Sequence, residues 1–442
     1  MSRGKFPRWI EDWRSSPRCG GHLPPQYDID NYLPRKNIPS KRYKWEVIMR
    51  GFGSAFLVAA SLIASSAALA GEEELILGQT MPYSGPASAL SAVGKVQTRY
   101  FQMINERGGI NGRKIKLISL DDGYSPPKAV EQTRRLVESD EAVAIFGSMG
   151  TAQNAAVQKY LNSRKVPQLF VFAASDRFAD PKTSPYTISG MTLFSTEAAI
   201  YARLVSEGTP RARIAVLYQN DDYGREYLRS FKAELARLDP QAEIVAASPY
   251  EVTSPTVESQ VVSLASTNAN VFLNASTGKF TSQAIRKAGE LGWHAQQFLP
   301  IGSNFVATIL KPAGLENAKG AISATPTKTV GDPEWASDPA YLEWLAFMKK
   351  YYPEGDIEDQ LNFTGWNVAV LMTRVLEACG TDFSRENIMK RATALKNVAL
   401  PGLIGGITVN STPDDYRLIK SLRPQRFDGE RWVPMSGTMA AR

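Results

Sequence analysis

The stretch AVAIFGSMGTAQNAAV, residues 142–157, passes from an apolar run into glycines and hydroxyl residues and then into a segment of helical character. It predicts a buried strand that ends near Phe146 and a helix that begins close to Thr151. Small hydroxyl residues before a helix can cap its free N–H groups. The same groups, with glycines that leave the backbone bare, can instead hold an anion. The stretch alone leaves both interpretations open.

The same order of strand and helix recurs from residue 74 to residue 325. Short apolar strands alternate with helices in two successive series, over 74–173 and over 213–325. Such alternation is typical of parallel sheets covered by helices on both faces, and two series indicate two lobes. After residue 326 come two further helices and a hairpin that turns at Asp428-Gly429. We therefore expect the chain to cross back to the first lobe.

The basic charge of the chain is concentrated in its first 70 residues. The net charge of the 442 residues is +7, but residues 1–70 carry 11 Lys/Arg and 5 Asp/Glu, which leaves 40 and 39 in the remainder. The nearly neutral body gives no support for a nucleic-acid partner, and we expect none.

Residues 49–70 predict export. Arg50, the apolar stretch after it and the small-residue site Ala68-Leu69-Ala70 are typical of a secretory signal peptide cleaved after Ala70. A transmembrane anchor is the alternative, but the stretch is short and diluted by serines. We interpret Met49 as the true start, residues 1–48 as a doubtful extension, and the periplasm as the destination.

Cysteine and histidine are too scarce for several kinds of chemistry. Cys379 is the one cysteine after residue 70, since Cys19 precedes the signal peptide, so we expect no internal disulfide. His294 is the one histidine there, which argues against a transition-metal site. The chain has no P-loop and no dinucleotide fingerprint after a strand. We expect no enzyme activity, cofactor or metal; a hydrolase using Ser148 and His294 is the alternative.

Hydroxyl and amide side chains follow several of the predicted strands. Ligands of open α/β sheets bind at the carboxyl ends of the strands, so we regard these side chains as candidates for a ligand site. At a single corner the alternative is a plain turn or helix cap. The candidates are Ser84, Ser148, Thr151, Ser175, Asn274, Ser303 and Asn304, together with Met149 between Ser148 and Gly150, and Tyr223 is placed to overhang a cleft.

Six segments, in order and spacing, resemble the leucine/isoleucine/valine-binding-protein family of periplasmic solute receptors for ABC importers. They are ILGQTMPYSGPAS, INERGGINGRKIKLISLDD, PPKAVEQTRRLV, VAIFGSMGTAQNAAV, VPQLFVFAAS and IAVLYQNDDYG. The resemblance covers residues 74–435. It implies a type I periplasmic binding fold, an α/β fold of two doubly wound parallel-sheet lobes that are joined by a three-strand hinge and close on a ligand. We assign 74–191 with 326–402 to lobe 1 and 192–325 with 403–435 to lobe 2.

The resemblance also implies how a ligand is held. In this family a hydroxyl residue and backbone N–H groups at the third-strand corner bind the ligand's carboxylate, and a second hydroxyl at the end of the next strand assists. The matching positions here are Thr151 and Ser175, with the carbonyl of Ala173 beside them. The family's aromatic lid from the second lobe matches Tyr223, and its first-loop contact falls near Leu90.

The second lobe departs from the family pattern at FLPIGSNF, residues 298–305. Amino-acid-binding members place an acidic residue near this point to hold the ligand's ammonium, and the stretch has none. Because a buried ammonium without a counter-charge is costly, we expect a carboxylate ligand without an amine, such as an aromatic or short organic acid. We expect a monomer that delivers it to the permease and ATPase subunits of an ABC importer. A true Leu/Ile/Val-binding protein and a ligand sensor of the same fold are the alternatives.

Overall fold

The computed structural model describes residues 74–441, which form an α/β structure with two sheets. The extension 1–48 with Cys19 and the predicted signal peptide 49–70 lie outside the described residues. Within the described part of the chain, no helix is both long and apolar enough to cross a membrane.

Most strands and helices lie close to their predicted positions. The strands are β1 Leu75–Met81, β2 Ile115–Asp121, β3 Ala144–Phe146, β4 Gln168–Val171, β5 Thr187–Ser189, β6 Arg213–Gln219, β7 Glu243–Tyr250, β8 Val271–Ala275, β9 Gln296–Phe298, β10 Ile322–Thr325, β11 Ser421–Phe427, β12 Trp432–Pro434 and β13 Met439–Ala440. The longer helices are α1 Ala92–Glu106, α2 Pro126–Glu138, α3 Thr151–Ser163, α4 Phe194–Gly208, α5 Asp222–Leu238, α6 Glu258–Ala265, α7 Lys279–Glu290, α8 Pro339–Tyr351, α9 Gln360–Ala378 and α10 Arg385–Ala392. Sequence reasoning missed α4, α10, β5 and β13.

The first sheet is wholly parallel and has the strand order β2-β1-β3-β4-β5. Strands β1 and β2 pair in register from Leu75 opposite Ile115 to Met81 opposite Asp121. The chain order reverses between β1 and β3, and sheets of this kind bind ligands at that point, outside the carboxyl ends of the strands. The GSMGT corner follows β3, so the topology brings it to the place where a ligand is expected.

The second sheet repeats this order in its parallel part, β7-β6-β8-β9-β10. Strands β11 and β12 extend it as an antiparallel hairpin, and β13 pairs with β11. The turn at Asp428-Gly429 joins β11 to β12, which confirms the predicted hairpin. Two sheets of the same order confirm the two doubly wound lobes inferred from the paired series.

Helix α9 forms the centre of the first core because it is apolar on nearly all sides. Phe363, Trp366 and Val375 are each at most 2% exposed. Gly365 lets α1 approach closely, since a Cβ atom there would lie 2.6 Å from Val96 Cγ1. The Asp359 carboxylate begins the helix by accepting a hydrogen bond from the Leu361 N–H at 2.9 Å. The buried stripe that the sequence predicted on this helix is confirmed.

Three chain segments connect the two sheets. They lie between β5 and α4, between β10 and α8, and directly before β11. Near the second crossing, Thr327 and Leu403 form an antiparallel bridge, and the Lys328 N–H donates to the Gly402 carbonyl at 2.9 Å. These crossings are the three-strand hinge implied by the family resemblance.

The chain before β11 packs with the first sheet. Leu403, Ile407, Val409 and Leu418 are all at most 5% exposed and belong to the same core as α9. The sequence assignment gave this stretch to lobe 2. Because its apolar side chains are buried in the first core, we propose that lobe 1 extends to about residue 419.

Candidate ligand-binding cleft

A cavity of about 640 Å³ lies between the two lobes. Its walls include the corners after β3 and β4 from the first lobe and the loop after β9 from the second. A cavity of this volume suits a small-molecule ligand.

The corner after β3 has the backbone shape that its glycines permit. Gly147 and Gly150 adopt φ of +63° and +98°, in the left-handed region that other residues avoid. A Cβ atom on Gly150 would also lie 2.1 Å from Gln153 Oε1. The glycines therefore allow the chain to turn sharply from β3 into α3 and to present its backbone at the cavity wall.

Thr151 begins α3 at this corner and lines the cavity. Its side chain is nearly buried, and its hydroxyl makes no hydrogen bond with any residue in 74–441. The first N–H groups of a helix also lack intrahelical partners and carry the positive end of the helix dipole. A free hydroxyl and free N–H groups at one helix start form a site suited to an anionic group.

Six of the residues proposed from the sequence line this cavity. They are Leu90, Met149, Thr151, Ala173, Tyr223 and Asn304. They come from both lobes, so the fold brings together side chains that are widely separated in sequence. That each contacts a ligand stays a prediction.

Two of the proposed serines of the first lobe do not reach the cavity wall. Ser148 Oγ accepts a hydrogen bond from the Thr80 N–H at 3.0 Å, which ties the β3 corner to β1. Ser175 is 1% exposed and begins a short 3₁₀ helix after β4. The cavity is lined there by Ala173 and Ala174 instead. Neither serine lines the cavity, and that either hydroxyl contacts a ligand stays a prediction.

Three further candidates also fall outside the cavity wall. Ser303 Oγ donates to the Ser276 carbonyl, and Asn274 Oδ1 accepts from the Ser276 hydroxyl, so both are internal to the second lobe. Ser84 is exposed and its hydroxyl donates to Asp121 Oδ2 at 2.6 Å. The oxygen atoms of these three side chains make hydrogen bonds within the protein, and their contact with a ligand stays a prediction.

The two residues of the hydrolase alternative do not line the cavity. Ser148 is buried beneath the corner, whereas His294 is exposed, and neither lines the cavity. Among the residues that the structure describes, no cluster of His, Cys, Asp or Glu has the form of a metal site.

Tyr223 is the aromatic contribution of the second lobe. It lies in the first turn of α5, where Asp221 Oδ1 accepts hydrogen bonds from the Tyr223 N–H at 3.0 Å and the Gly224 N–H at 3.3 Å. Its ring contacts that of Phe194 with centroids 5.1 Å apart. Packing and capping together hold the ring at the cavity wall.

Glu197 brings a carboxyl group to the cavity that sequence reasoning missed. It lies in the first turn of α4, is 3% exposed and lines the cavity. Glu197 Oε1 accepts a hydrogen bond from the Ile301 N–H at 2.7 Å, in the same PIGSN loop that has no acidic residue of its own. Burial raises the pKa of Glu197 to about 7. The second-lobe wall therefore holds a carboxyl group that can exist in either protonation state near neutral pH.

The sequence contains a signal that could have found Glu197. In FSTEAAIYARLVSEG, residues 194–208, apolar residues recur at helical spacing, with an acidic residue in the first turn. Sequence reasoning left this stretch without a helix, so Glu197 was not considered. A second carboxyl group at the cavity wall, that of Asp359, belongs to the cap of α9, and burial raises its pKa.

Residues of the two lobes contact each other across the cleft. Lys311 Nζ of the second lobe lies 3.0 Å from Glu358 Oε2 of the first. At another point the Asp176 N–H donates to Glu226 Oε1 at 2.8 Å. Both pairs connect residues that a hinge motion would separate.

The fold and its cleft define a two-lobed solute-binding protein. A model described as a periplasmic binding protein matches residues 75–431. The chain belongs to this periplasmic binding protein family, in the type I fold of the leucine/isoleucine/valine-binding proteins. The family is one of solute-binding proteins.

Curated relatives are distant. The chain is 24% identical over 284 residues to "Leu/Ile/Val-binding protein homolog 7" of Brucella abortus, an alignment that covers 61% of this chain and 65% of the relative. It is 25% identical over 170 residues to an "Amino acid binding protein" of Pseudomonas aeruginosa, covering 37% of this chain and 44% of the relative. The chain thus spans less than two thirds of the length of these relatives.

Solved structures share the fold. A branched chain amino acid ABC transporter protein from Thermus thermophilus with bound valine has a TM-score of 0.76 at 16% identity, covering 84% of this chain and 97% of its own. A fatty acid ABC transporter substrate-binding protein from Thermomonospora curvata has a TM-score of 0.69 at 21% identity, covering 84% and 93%. At these identities the likeness shows the fold alone.

Proposed function

We propose that this protein is an exported solute receptor that closes on a small organic carboxylate and delivers it to an ABC importer. The observation that carries the proposal is the start of α3. There the free hydroxyl of Thr151 lines a cavity between the two lobes, at the start of a helix whose first N–H groups lack intrahelical partners. Closure excludes water from this site, which strengthens a hydrogen bond to a charged group.

The ligand that this cleft favours has a carboxylate and no amine. The PIGSN loop offers no acidic side chain of its own. Glu197 is the carboxyl group behind that loop, and burial keeps a large fraction of it protonated near neutral pH. A protonated carboxyl donates one hydrogen bond but carries no charge with which to balance an ammonium. An aromatic or aliphatic organic acid would bury one charge in this cavity, whereas an amino acid would bury two.

A second candidate is an amino-acid receptor, and Glu197 is the observation that favours it. An ammonium group placed against this side chain would stabilise its ionised form and lower its pKa. Glu197 would then supply the counter-charge that FLPIGSNF lacks, although it comes from a different part of the second lobe. The Brucella and Pseudomonas relatives carry names of amino-acid-binding proteins, which agrees with this candidate.

The partners follow from the receptor role. In the closed state, residues of both lobes meet at the cleft mouth, as Lys311 and Glu358 do. A membrane permease can therefore recognise a surface that exists only when a ligand holds the lobes together. We propose that the protein acts in the periplasm as a monomer, with the permease and ATPase subunits as its partners.

The test is a binding panel on purified protein that has been unfolded and refolded to remove co-purified ligand. Each amino acid is paired with its deaminated acid, and benzoates and cinnamates are added. Binding is detected as a rise in the thermal unfolding midpoint and quantified by calorimetry. We expect acids to bind and their amino counterparts to bind weakly.

Two further results have distinct meanings. Strong binding of leucine or valine would replace the first candidate with the second, and Glu197→Gln should then weaken that binding. Failure of every carboxylate in the panel, amino acids included, would refute the proposed carboxylate receptor.

A further inference from the structure

The cleft has an inner part that a small ligand at Thr151 does not need. Besides the interlobe surfaces, the cavity is lined by a group of aliphatic side chains from the first lobe, which we call the inner chamber. The inner chamber consists of Val368, Leu371, Leu400, Leu403, Val409, Leu418 and Ile419. Each is at most 7% exposed, so these side chains face the cavity rather than solvent.

Helix α9 connects the cleft to the inner chamber. The cavity-lining residues of this helix are Gln360, Leu361, Thr364, Asn367, Val368 and Leu371. Their spacing of three, four and seven residues places them along one side of the helix. At a rise of 1.5 Å per residue, this side extends roughly 16 Å from Gln360 to Leu371.

The chemistry of the wall changes along that length. Gln360 and Thr364 near the start of α9 are polar, and Asn367 is the last polar residue of the row. Val368 and Leu371 follow, and the loops packed against this end of α9 contribute Leu403, among others. A ligand that fills the whole cavity must therefore have a polar end and an apolar end.

We propose that the ligand is a carboxylate with an unbranched apolar tail of medium length, whose tail lies along α9 in the inner chamber. This inference rests on the proposed function, because the carboxylate is placed at the start of α3. The chamber supplies apolar contacts at its far end, while the free polar groups at Thr151 fix the head. Burial of each methylene in such a chamber removes apolar surface from water and should tighten binding by about fourfold.

The test is a calorimetric series with butanoate, hexanoate, octanoate and decanoate on the refolded protein. We expect affinity to rise by about fourfold per methylene until the chamber is full, which is roughly fifteenfold for each step of the series. Amino acids of matched chain length test whether affinity is limited by the groups that bind the carboxylate end of the ligand or by the chamber that binds its tail.

Two substitutions should reduce the volume of the inner chamber, and a third, outside the cavity, is their matched control. Leu371→Phe and Val368→Met each add volume to its wall, whereas Leu376→Phe adds the same volume as Leu371→Phe on the same buried helix, away from the cavity. The chamber variants should weaken octanoate and decanoate about tenfold or more and leave butanoate within about twofold, since only the longer tails lose buried methylenes. The thermal unfolding midpoint of each variant verifies folding, and Val368→Met, whose new side chain is flexible, serves if Leu371→Phe fails to fold.

The outcomes separate this inference from the proposed function. If short acids bind and affinity does not rise with chain length, the tail inference is wrong and the carboxylate receptor stands. The same holds if the chamber variants weaken butanoate as much as decanoate. If no carboxylate binds, the proposed function is wrong and the tail inference falls with it.

Discussion

Replacing Glu197 by glutamine should change how the stability of the protein depends on pH. Burial raises the pKa of Glu197 from its ordinary 4.5 to about 7. A carboxyl whose folded-state pKa is raised binds its proton more tightly in the folded protein than in the unfolded chain. The free energy of unfolding that this proton contributes is therefore present at low pH and is lost as the pH rises from about 4.5 to about 7.

The size of the effect follows from the shift. One pKa unit corresponds to 1.36 kcal/mol, so the total contribution is about 3 kcal/mol, of which roughly 2–3 kcal/mol changes between pH 5 and pH 8. Glutamine keeps an oxygen that can accept the hydrogen bond from the Ile301 N–H but does not titrate. The side chains of Tyr201, Tyr223 and Tyr227 face Glu197, and burial raises their pKa values, so they stay neutral across this range.

The assay is urea unfolding of the wild type and the variant at pH 5 and pH 8, without ligand. The wild type should lose roughly 2–3 kcal/mol relative to Glu197→Gln over this interval. Glu207→Gln is the matched control because Glu207 lies on the same helix with an exposed side chain. Parallel pH profiles for wild type and Glu197→Gln would show that this carboxyl is not a raised-pKa group and would refute the reasoning.

Thr151→Val should weaken carboxylate binding by about 1–3 kcal/mol, because it removes a hydrogen bond to a charged group. Calorimetry measures this loss, and Thr133→Val, at a buried threonine outside the cavity, should leave affinity unchanged; equal effects would place the anion elsewhere. Gly150→Ala should lower the free energy of unfolding by at least ~1 kcal/mol, since its φ of +98° strains any residue that has a Cβ atom. Gly208→Ala, at a helix end with open space, should have little effect in the same urea assay, and similar losses would contradict the strain argument.

The sequence predicted the two-lobed fold because its signals are local and repeated. Strands β1 and β6 are short, largely apolar segments and β2 alternates apolar and polar residues, and such segments alternating with helices leave few topologies open. Helix α4 was missed although it has helical spacing, because the chain between the two series was treated as a connection. The proposed extension of lobe 1 to about residue 419 depends on which core buries a loop, and no local pattern specifies that.

The site was only partly predictable, and the reason is the direction of the side chains. A residue at the end of a strand can face the cleft, as Thr151 does, or turn inward, as Ser148 and Asn274 do. Sequence position fixes the end of the strand at which a hydroxyl lies but not the hydrogen bond that it makes. The inner chamber was not foreseen either, because its walls come from α9 and from loops that follow it by more than 20 residues.

The charge of the second-lobe wall shows why a missing residue in one loop does not decide the ligand. Glu197 reaches the PIGSN loop from α4, so the counter-charge for an ammonium can come from a neighbouring helix.

The pH dependence of binding then identifies the ligand class. A carboxylate without an amine should bind more weakly as Glu197 loses its proton above about pH 7, because like charges then share one cavity. An amino acid should bind more tightly over the same range, because an ammonium favours the ionised carboxyl. Calorimetry at pH 6 and pH 8 with a matched acid and amino acid measures whether affinity rises or falls with pH. The Glu197→Gln substitution should abolish this pH dependence of affinity. A pH dependence that persists in the variant would show that another group controls the site.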